Sequence, residues 1–371
     1  MHTLATPLIS PAPGTQRELI SQHFGKVGIG EKIFISAALH ADETPAMLTA
    51  VHLRNRLLAL EKACQIRAEI VLVPVANPVG LSQQILGQFL GRFELGSGQN
   101  FNRQFPFLDA VGDEVAPLLG ADPIGNRDII RAALRRAVSA RVPLTEFESL
   151  KLALLTLSID ADVVLDLHCS LEASLHLYTS EALWPEVESL ARYMGATVSL
   201  LATDSGADAF DEVHSLLWWK LRERFGDALP VPHASIAVTV ELRGQRDVSD
   251  ALAQRDADAI IQYLCARGAI ADIPAPLPPL LGAATPLAGS EQFYAPCSGI
   301  LVHRANIGDV IAPGQLLFDI VDPISGNTTS VHSKTQGSLY MRRAIRFVYQ
   351  GAPLGRVTGE RPIRTGKLLG A

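Results

Sequence analysis

A histidine and a glutamate stand three residues apart in the stretch HADE, as His40 and Glu43. Imidazole nitrogens and carboxylate oxygens are common protein ligands of a catalytic zinc ion, which keeps its fourth position for water. The stretch follows an apolar run, IFISAA, and precedes a helical pattern that begins at Pro45. The pair therefore lies in a predicted loop between a strand and a helix, where we expect one corner of a metal site.

His168 has a similar position, because it ends the apolar run VVLDLH. With His40 and Glu43 it makes two histidines and one carboxylate, a sufficient ligand set for zinc. Asp166 lies two residues earlier on the same predicted strand and so points to the same side. We expect Asp166 to orient His168 as a partner behind the ligand.

A second carboxylate could take the proton of a water whose pKa the metal lowers to about 7. Glu241, near the end of the apolar run SIAVTVEL, is the candidate for this general base. Asn102 and Arg103 lie in a glycine-spaced loop, and an arginine near the metal would hold a substrate carboxylate through two hydrogen bonds. His176 and His214 remain alternatives for the third metal ligand, since both could border the same cleft.

The elements that must position these residues alternate between strands and helices along residues 1–272, which predicts an α/β catalytic domain around a largely buried sheet. Residues 1–30 are predicted to be a short polar lead-in. Ligands of open α/β sheets bind beyond the carboxyl ends of strands, where the histidines and carboxylates fall. The predicted strands are 32–39, 68–78, 163–168 and 234–242, and the predicted helices are 45–63, 126–138, 146–157, 185–194 and 249–268.

The composition changes after residue 272. Residues 273–290 include five prolines and are predicted to be a linker. Residues 291–371 show short strands with glycine turns, which predicts a small C-terminal all-β domain. Its stretch 294–322 resembles a biotinyl/lipoyl-type barrel, but the hairpin tip DPISGN offers no lysine for a carrier function. The domain is expected either to narrow the mouth of the site or to be only structural.

Overall composition excludes several classes of protein. The 371 residues are 48% hydrophobic and 19% charged, with a net charge of −6 and no basic run, which argues against a nucleic-acid partner. The four cysteines are scattered without a CxxC pair, so we expect a reducing, cytoplasmic location. The chain shows neither a signal-like start nor a long apolar run, so no membrane partner is expected. A homo-oligomer is left open.

Four motifs occur in an order and spacing that resemble the succinylglutamate desuccinylase/aspartoacylase family of the zinc carboxypeptidase superfamily. They are HADE at 40–43, FNRQFP at 101–106, DLHCS at 166–170 and TVELRGQ at 239–245. The resemblance extends over about residues 30–360. It implies a carboxypeptidase-like mixed sheet flanked by helices, and hydrolysis of the amide bond of a small N-acyl amino acid or N-acyl amine.

The resemblance also implies how the reaction is carried out. One zinc ion per chain would be bound by His40, Glu43 and His168, and Glu241 would act as general base and acid. Two other functions stay open: a metallocarboxypeptidase that cleaves short peptides, and a non-catalytic relative that binds a metabolite.

The same resemblance implies the substrate contacts. Asn102 and Arg103 would hold the substrate carboxylate, and Arg92 would polarise the scissile carbonyl and stabilise the oxyanion. Arg243 stands where many relatives have glycine, and we predict that it binds substrate, with an ion pair to a surface acid as the alternative. The stretch 203–221 is either a pocket wall or a plain loop followed by an amphipathic helix.

Overall fold

A computed structural model describes residues 1–106 and 108–370. The strands before the C-terminal region are β1 His2–Pro7, β2 Glu18–Phe24, β3 Lys32–Ala37, β4 Glu69–Val73, β5 Gln84–Ile85, β6 Gln88–Phe89, β7 Val163–Ser170, β8 Glu172–Ala173, β9 His176–Thr179, β10 Val198–Leu201, β11 Ile236–Gly244 and β12 Ala284–Pro286. Nine of them form one sheet in the order β1-β2-β4-β3-β7-β11-β9-β10-β12. The sheet is mixed as predicted, because β4, β3, β7 and β11 are parallel whereas β9 is antiparallel to β11.

The helices are α1 Thr44–Lys62, α2 Pro78–Leu81, α3 Val111–Val115, α4 Pro123–Ser139, α5 Glu146–Ser158, α6 Trp184–Met194, α7 Phe210–Phe225 and α8 Asp250–Ala266. Helices α1, α6 and α8 cover one face of the sheet and α4, α5 and α7 the other. The middle of strand β3 is apolar on both faces, because Ile33 and Ile35 face the first core and Phe34 the second. Within the described ranges, no helix combines the length and apolar character needed to cross a bilayer.

The long helices and central strands agree with the sequence predictions to within a few residues. The largest difference is the strand predicted at 68–78, which ends at Val73. Pro74 follows, and a proline lacks the N–H that would continue the ladder. The chain then turns into α2, where the Asn77 side chain accepts a hydrogen bond from the N–H of Gly80 at 2.7 Å.

The prediction of a polar lead-in for residues 1–30 is wrong. Strands β1 and β2 form an antiparallel pair, and β2 joins the sheet beside β4. Leu19 packs in one core and Phe24 in the other, on opposite faces of β2, and the residues between them include the polar Ser21, Gln22 and His23. Because polar residues interrupt it, β2 lacks the continuous apolar run that marks the central strands.

The C-terminal region contains β13 Glu291–Tyr294, β14 Gly299–His303, β15 Val310–Ile311, β16 Leu316–Val321, β17 Thr328–His332, β18 Gly337–Arg342, β19 Phe347–Val348 and β20 Pro353–Val357. They form two sheets, β13-β20-β18-β15 and β17-β16-β14-β19, around their own apolar core. Strand β18 also pairs with β8, and β12, inside the predicted linker, pairs with β10. The domain boundaries and the likeness to a biotinyl/lipoyl-type barrel stay predictions.

Candidate active site

Three neighbouring parallel strands bring the predicted reactive residues to one edge of the sheet. Strand β3 leads into the loop that carries His40 and Glu43, β7 carries His168, and β11 carries Glu241. Glu241 lies directly opposite His168 in the β7–β11 pairing. The expected placement of these groups at strand ends is therefore confirmed.

A tight turn returns the chain toward the sheet after β3. Ala38 has a left-handed backbone conformation, with φ of 59°, and its N–H donates to the carbonyl of Leu167 at 3.0 Å. The segment around Gly91 also holds this loop, because the N–H of Ala41 donates to the carbonyl of Gly91 at 3.0 Å. A Cβ atom at Gly91 would lie 2.2 Å from the backbone nitrogen of Asp42, so this close approach requires glycine.

His40, Glu43 and His168 form a buried cluster at this turn. His40 Nδ1 lies 3.0 Å from Glu43 Oε1, and His168 Nδ1 lies 2.8 Å from Glu43 Oε2. Each of the three residues has one potential metal-ligating atom, a ring nitrogen or a carboxylate oxygen, and these three atoms lie within 4.8 Å of one another. Two imidazoles and one carboxylate at this separation suit a zinc ion, because its bonds to such ligands are about 2.0–2.2 Å long.

Both histidines use their other nitrogen to reach a fixed acceptor. His40 Nε2 donates to Asn100 Oδ1 at 2.8 Å, and His168 Nε2 donates to Asp166 Oδ2 at 2.6 Å. Ser36 Oγ donates to the second oxygen of Asp166 at 2.7 Å. These partners turn both Nδ1 atoms toward Glu43. Asp166 thus lies where the sequence predicted, whereas Asn100 was not among the predicted residues.

Glu43 and His40 already have the charge states that a metal ligand requires, whereas His168 would release a proton when a metal binds. Burial and the positive charge of Arg92 lower the pKa of His40 to about 4. Burial alone would raise the pKa of Glu43, but His40 and His168 hold it well below its usual range. Burial alone would lower the pKa of His168, but Asp166 and Glu43 raise it well above its usual range. An ionised carboxylate and a neutral imidazole are the forms that bind a metal.

Glu241 lies in the same cleft beside this cluster. Its Oε2 accepts a hydrogen bond from Ser170 Oγ at 3.2 Å. Burial and the negative charge of Glu43 raise the pKa of Glu241 to about 7. A carboxyl group with a pKa near neutrality can both accept and return a proton in a reaction cycle.

The cleft has a volume of about 240 Å³ and is lined from both parts of the chain. Tyr178 and Asp211 line it on the side of the large sheet, so the stretch 203–221 does contribute to its wall. The C-terminal strands and the turns beside them contribute Arg343 and Arg356. These four residues were not predicted from the sequence, and no local motif marks them, because the fold brings them together from distant segments.

The three other predicted contact residues also line the cleft. Arg92 Nη1 lies 3.1 Å from Glu43 Oε1, beside the candidate metal ligands. Asn102 Oδ1 accepts a hydrogen bond from the N–H of Phe210 at 2.8 Å. Arg103 donates through Nε and Nη2 to the carbonyl oxygen of Gly370, at 3.1 and 2.8 Å. The Gly370 carbonyl thus takes hydrogen bonds from the Arg103 guanidinium, the group that the resemblance assigns to binding a substrate carboxylate.

The structure does not bring Arg243 into the cleft, in contrast to its predicted role in substrate binding. Its guanidinium forms an ion pair with Asp256 of α8, a buried carboxylate rather than a surface one. The pairing of β11 with β7 becomes irregular between Glu241 and Gly244, and Arg243 has a left-handed φ of 69°. This bulge turns the side chain toward α8.

The two alternative histidines have other partners. His176 Nδ1 donates to the carbonyl of Ser174 at 2.8 Å. His214 Nδ1 donates to the carbonyl of Phe210 at 2.7 Å, and its Nε2 lies 2.9 Å from Ser158 Oγ. Both are buried outside the cluster, and among the described residues the group that could hold a metal ion is His40, Glu43 and His168.

Part of the chain is similar to a known catalytic domain. The family model for the succinylglutamate desuccinylase/aspartoacylase catalytic domain matches residues 29–115, which include the HADE and FNRQFP motifs. A search of curated proteins finds no match.

Solved structures cover nearly the whole chain. A succinylglutamate desuccinylase/aspartoacylase family protein of Shewanella amazonensis is 26% identical with a TM-score of 0.82, covering 96% of this chain and 98% of its own. A protein of Shewanella frigidimarina described with the same family name is 24% identical with a TM-score of 0.84, covering 96% and 97%. An ectoine utilization protein of Ruegeria pomeroyi, 16% identical with a TM-score of 0.68 and covering 96% and 93%, shares the fold. The chain is therefore similar to the succinylglutamate desuccinylase/aspartoacylase family, in its catalytic-domain sequence over residues 29–115 and in its structure over nearly its whole length.

Proposed function

We propose that this protein is a zinc-dependent deacylase that hydrolyses the amide bond of a small N-acyl amino acid. The observation that carries the proposal is the meeting of His40, Glu43, His168 and Glu241 at the ends of three adjacent parallel strands, inside one cleft. The similarity of residues 29–115 to the succinylglutamate desuccinylase/aspartoacylase catalytic domain supports a hydrolase.

His40, Glu43 and His168 would hold one zinc ion per chain. The donor set fits, since both Nδ1 atoms and the carboxylate face one point and each Nε2 is already bonded. When bound, zinc supplies Lewis acidity, which lowers the pKa of a water and polarises the acyl carbonyl.

Glu241 would take the proton from the attacking water and deliver it to the nitrogen of the leaving amine. Ser170 holds one of its carboxylate oxygens, which leaves the other for the water. Arg92 reaches the ligand cluster with Nη1 and would donate to the carbonyl oxygen as negative charge develops there.

The cleft favours a small anionic substrate. Arg103 lines one side and Arg343 and Arg356 another, whereas the carboxyl groups of Asp211 and Glu241 both have a pKa raised to about 7, chiefly by burial. Positive charge therefore dominates at neutral pH. Asn102 and Arg103 would hold the substrate carboxylate, because a guanidinium binds a carboxylate through two parallel hydrogen bonds.

A panel of N-acetyl, N-succinyl and N-formyl amino acids, assayed with zinc-loaded and metal-free protein, tests the proposal. We expect hydrolysis of at least one class with zinc, and none without it. Hydrolysis of short peptides in place of N-acyl amino acids would favour the metallocarboxypeptidase. A protein that binds zinc and hydrolyses neither would be the non-catalytic relative.

The contact between Arg103 and Gly370 gives a second prediction. A substrate carboxylate must displace the Gly370 carbonyl, so deletion of residues 369–371 should lower KM with little change in kcat. The new terminal carboxylate would lie at Arg364, whose Nη1 is 2.9 Å from the Leu368 oxygen. We expect KM to fall about tenfold, the effect of one hydrogen bond to a charged group.

The matched control for this deletion is Leu369→Ala, which keeps the Gly370 carbonyl and removes only the side chain. Its KM should stay within about twofold of the parent value, since a substitution that removes no hydrogen bond to Arg103 changes little. A KM that rises on deletion would mean that the segment helps to bind substrate.

A further inference from the structure

Asn100 lies between the candidate metal ligands and the loop that carries Asn102 and Arg103. It is 6% exposed, and its Oδ1 accepts two hydrogen bonds. One comes from His40 Nε2 at 2.8 Å and the other from the backbone N–H of Asn102, also at 2.8 Å. These two donors determine the orientation of the amide, because its NH₂ group could not accept either bond.

The bond to Asn100 determines which nitrogen of His40 carries the proton. An amide oxygen can only accept, so Nε2 of His40 is the protonated nitrogen. The lone pair of Nδ1 then faces Glu43, and Nη1 of Arg92 lies 3.2 Å from it, at hydrogen-bond distance. His40 is thereby held in the tautomer that a cation requires.

The same oxygen holds the substrate loop. Asn102 receives its backbone anchor from Asn100 and a second anchor from Phe210, whose N–H donates to Asn102 Oδ1 at 2.8 Å. Arg103 follows directly, and Lys151 Nζ donates to its carbonyl at 2.5 Å. Of these contacts, the one through Asn100 joins the loop to a candidate metal ligand.

The amide group of Asn100 has no other partner among the described residues. Its Nδ2 is buried without a hydrogen bond. A buried NH₂ group without a partner is unfavourable, so the side chain contributes through its oxygen rather than through its nitrogen.

We propose that Asn100 is a positioning residue that couples His40 to the substrate loop. The inference rests on the proposed function for its metal and substrate, and concerns how the two sites are joined. A cation that fixes the His40 ring also fixes the oxygen that holds the Asn102 N–H. Metal binding therefore orders the loop, and by linkage an ordered loop strengthens metal binding.

His168 provides an internal comparison. Its Nε2 donates to the carboxylate of Asp166, which is held by Ser36 on β3. Asn102 Nδ2 of the substrate loop lies 3.3 Å from the same Nε2, but both nitrogens are donors in this arrangement, so this contact does not anchor the loop. Loss of either outer partner should weaken zinc binding. Only loss of Asn100 should also loosen the loop.

The experiment compares the full-length Asn100→Ala, Asn100→Asp and Asp166→Asn variants with the parent protein. Zinc affinity is measured by competition with a chromophoric chelator, and amide hydrogen exchange of residues 99–105 is measured with and without zinc. Asn100→Ala should weaken zinc binding about 10- to 100-fold, the usual effect of removing a ligand's outer partner. Asn100→Asp keeps the acceptor oxygen and should bind zinc within about threefold of the parent, since charge differs but the hydrogen bond does not.

Hydrogen exchange separates coupling from a merely structural role. Zinc should slow exchange of residues 99–105 in the parent, Asn100→Asp and Asp166→Asn proteins, but not in Asn100→Ala. Equal protection by zinc in Asn100→Ala and the parent would overturn the proposal, as would an Asn100→Asp protein that behaves like Asn100→Ala. None of these measurements uses turnover. A failure to hydrolyse N-acyl amino acids would therefore contradict the proposed function without affecting the test of the coupling between His40 and the substrate loop. If Asn100→Ala does not fold, Asn100→Ser replaces it with the same expectations, because the serine hydroxyl ends one bond short of the Oδ1 position that His40 Nε2 and the Asn102 N–H reach.

Discussion

Glu241→Gln should lower kcat by about 10²- to 10⁴-fold, the usual contribution of a positioned general base. The substitution keeps the shape of the side chain and its bond from Ser170, but an amide cannot take a proton from water. Because Glu241 is not a candidate metal ligand, the zinc content should stay at one ion per chain. Steady-state kinetics, metal analysis and circular dichroism on the same preparation test the three parts of this expectation.

Asp211→Asn is the matched control for Glu241→Gln. Asp211 also lines the cleft, and burial with the charge of Glu212 raises its pKa to about 7, as for Glu241. It lies outside the ligand cluster, so its loss should leave kcat within about threefold of the parent, as for a residue with no part in proton transfer. If Asp211→Asn loses turnover and Glu241→Gln keeps it, the general base is Asp211.

The pH dependence of the parent enzyme follows from the same carboxyl group. The pKa of Glu241 is about 7 with no cation beside it. A cation held by His40, Glu43 and His168 would favour the ionised form and lower that pKa. Since the base must be ionised to act, kcat/KM should rise with pH along an acid limb centred below 7. Glu241→Gln should lack that limb in its residual activity.

Local signals predicted where the candidate metal ligands lie. His168 lies near the end of a strand that is buried on both faces, and His40 and Glu43 follow another, so the parallel pairing of β3 and β7 brings the three together. The preference for His168 over His176 and His214 came from the family resemblance, and His168 is the one that joins the cluster among the described residues. Glu241, also predicted near a strand end, lies opposite His168 in the structure. Periodicity marks these central strands clearly because both faces of each are buried.

The rest of the site depends on information that is not local. Arg356 lines the cleft because β18 pairs with β8 and brings the C-terminal strands over it, and no spacing in the sequence encodes that contact. Arg243 follows the candidate general base Glu241 by two residues, but a bulge in β11 turns it to Asp256. Asn100 lies in a loop, and its role depends on which of its atoms meets His40.

Glu43→Gln should abolish zinc binding and destabilise the metal-free protein as well. The two Glu43 oxygens lie at hydrogen-bond distance from both candidate ligand histidines, and Oε2 also accepts the N–H of Cys169 at 3.0 Å. Removal of one partner from a buried charge cluster typically costs about 3–5 kcal/mol. We expect zinc affinity to fall by at least about 10³-fold, because a neutral amide oxygen replaces the only anionic ligand. Chelator competition and denaturant unfolding measure the two effects.

The parent protein should bind zinc more tightly as pH rises. The pKa of His168 is raised in the metal-free fold, so its Nδ1 carries a proton that a metal must displace. The stability that this proton gives the metal-free fold is fully present below the unfolded pKa of about 6.5 and is lost as pH rises through the raised value. For Glu43 the folded pKa is depressed, so its contribution is present above about 4.3 and lost as pH falls. Calorimetry in two buffers of different ionisation enthalpy should therefore detect proton release on zinc binding at pH 7.

Glu212→Gln separates the loss of a metal ligand from the loss of any buried carboxylate. Glu212 is 6% exposed, and its oxygens accept the N–H groups of Ser205 and Ala209 at 2.6 and 3.2 Å, outside the candidate metal cluster. Its substitution should reduce stability while zinc affinity and proton release stay as in the parent. If Glu43→Gln binds zinc with parental affinity, Glu43 is not a ligand. If Glu43→Gln and Glu212→Gln lose zinc affinity equally, the loss comes from destabilised folding and not from a missing ligand.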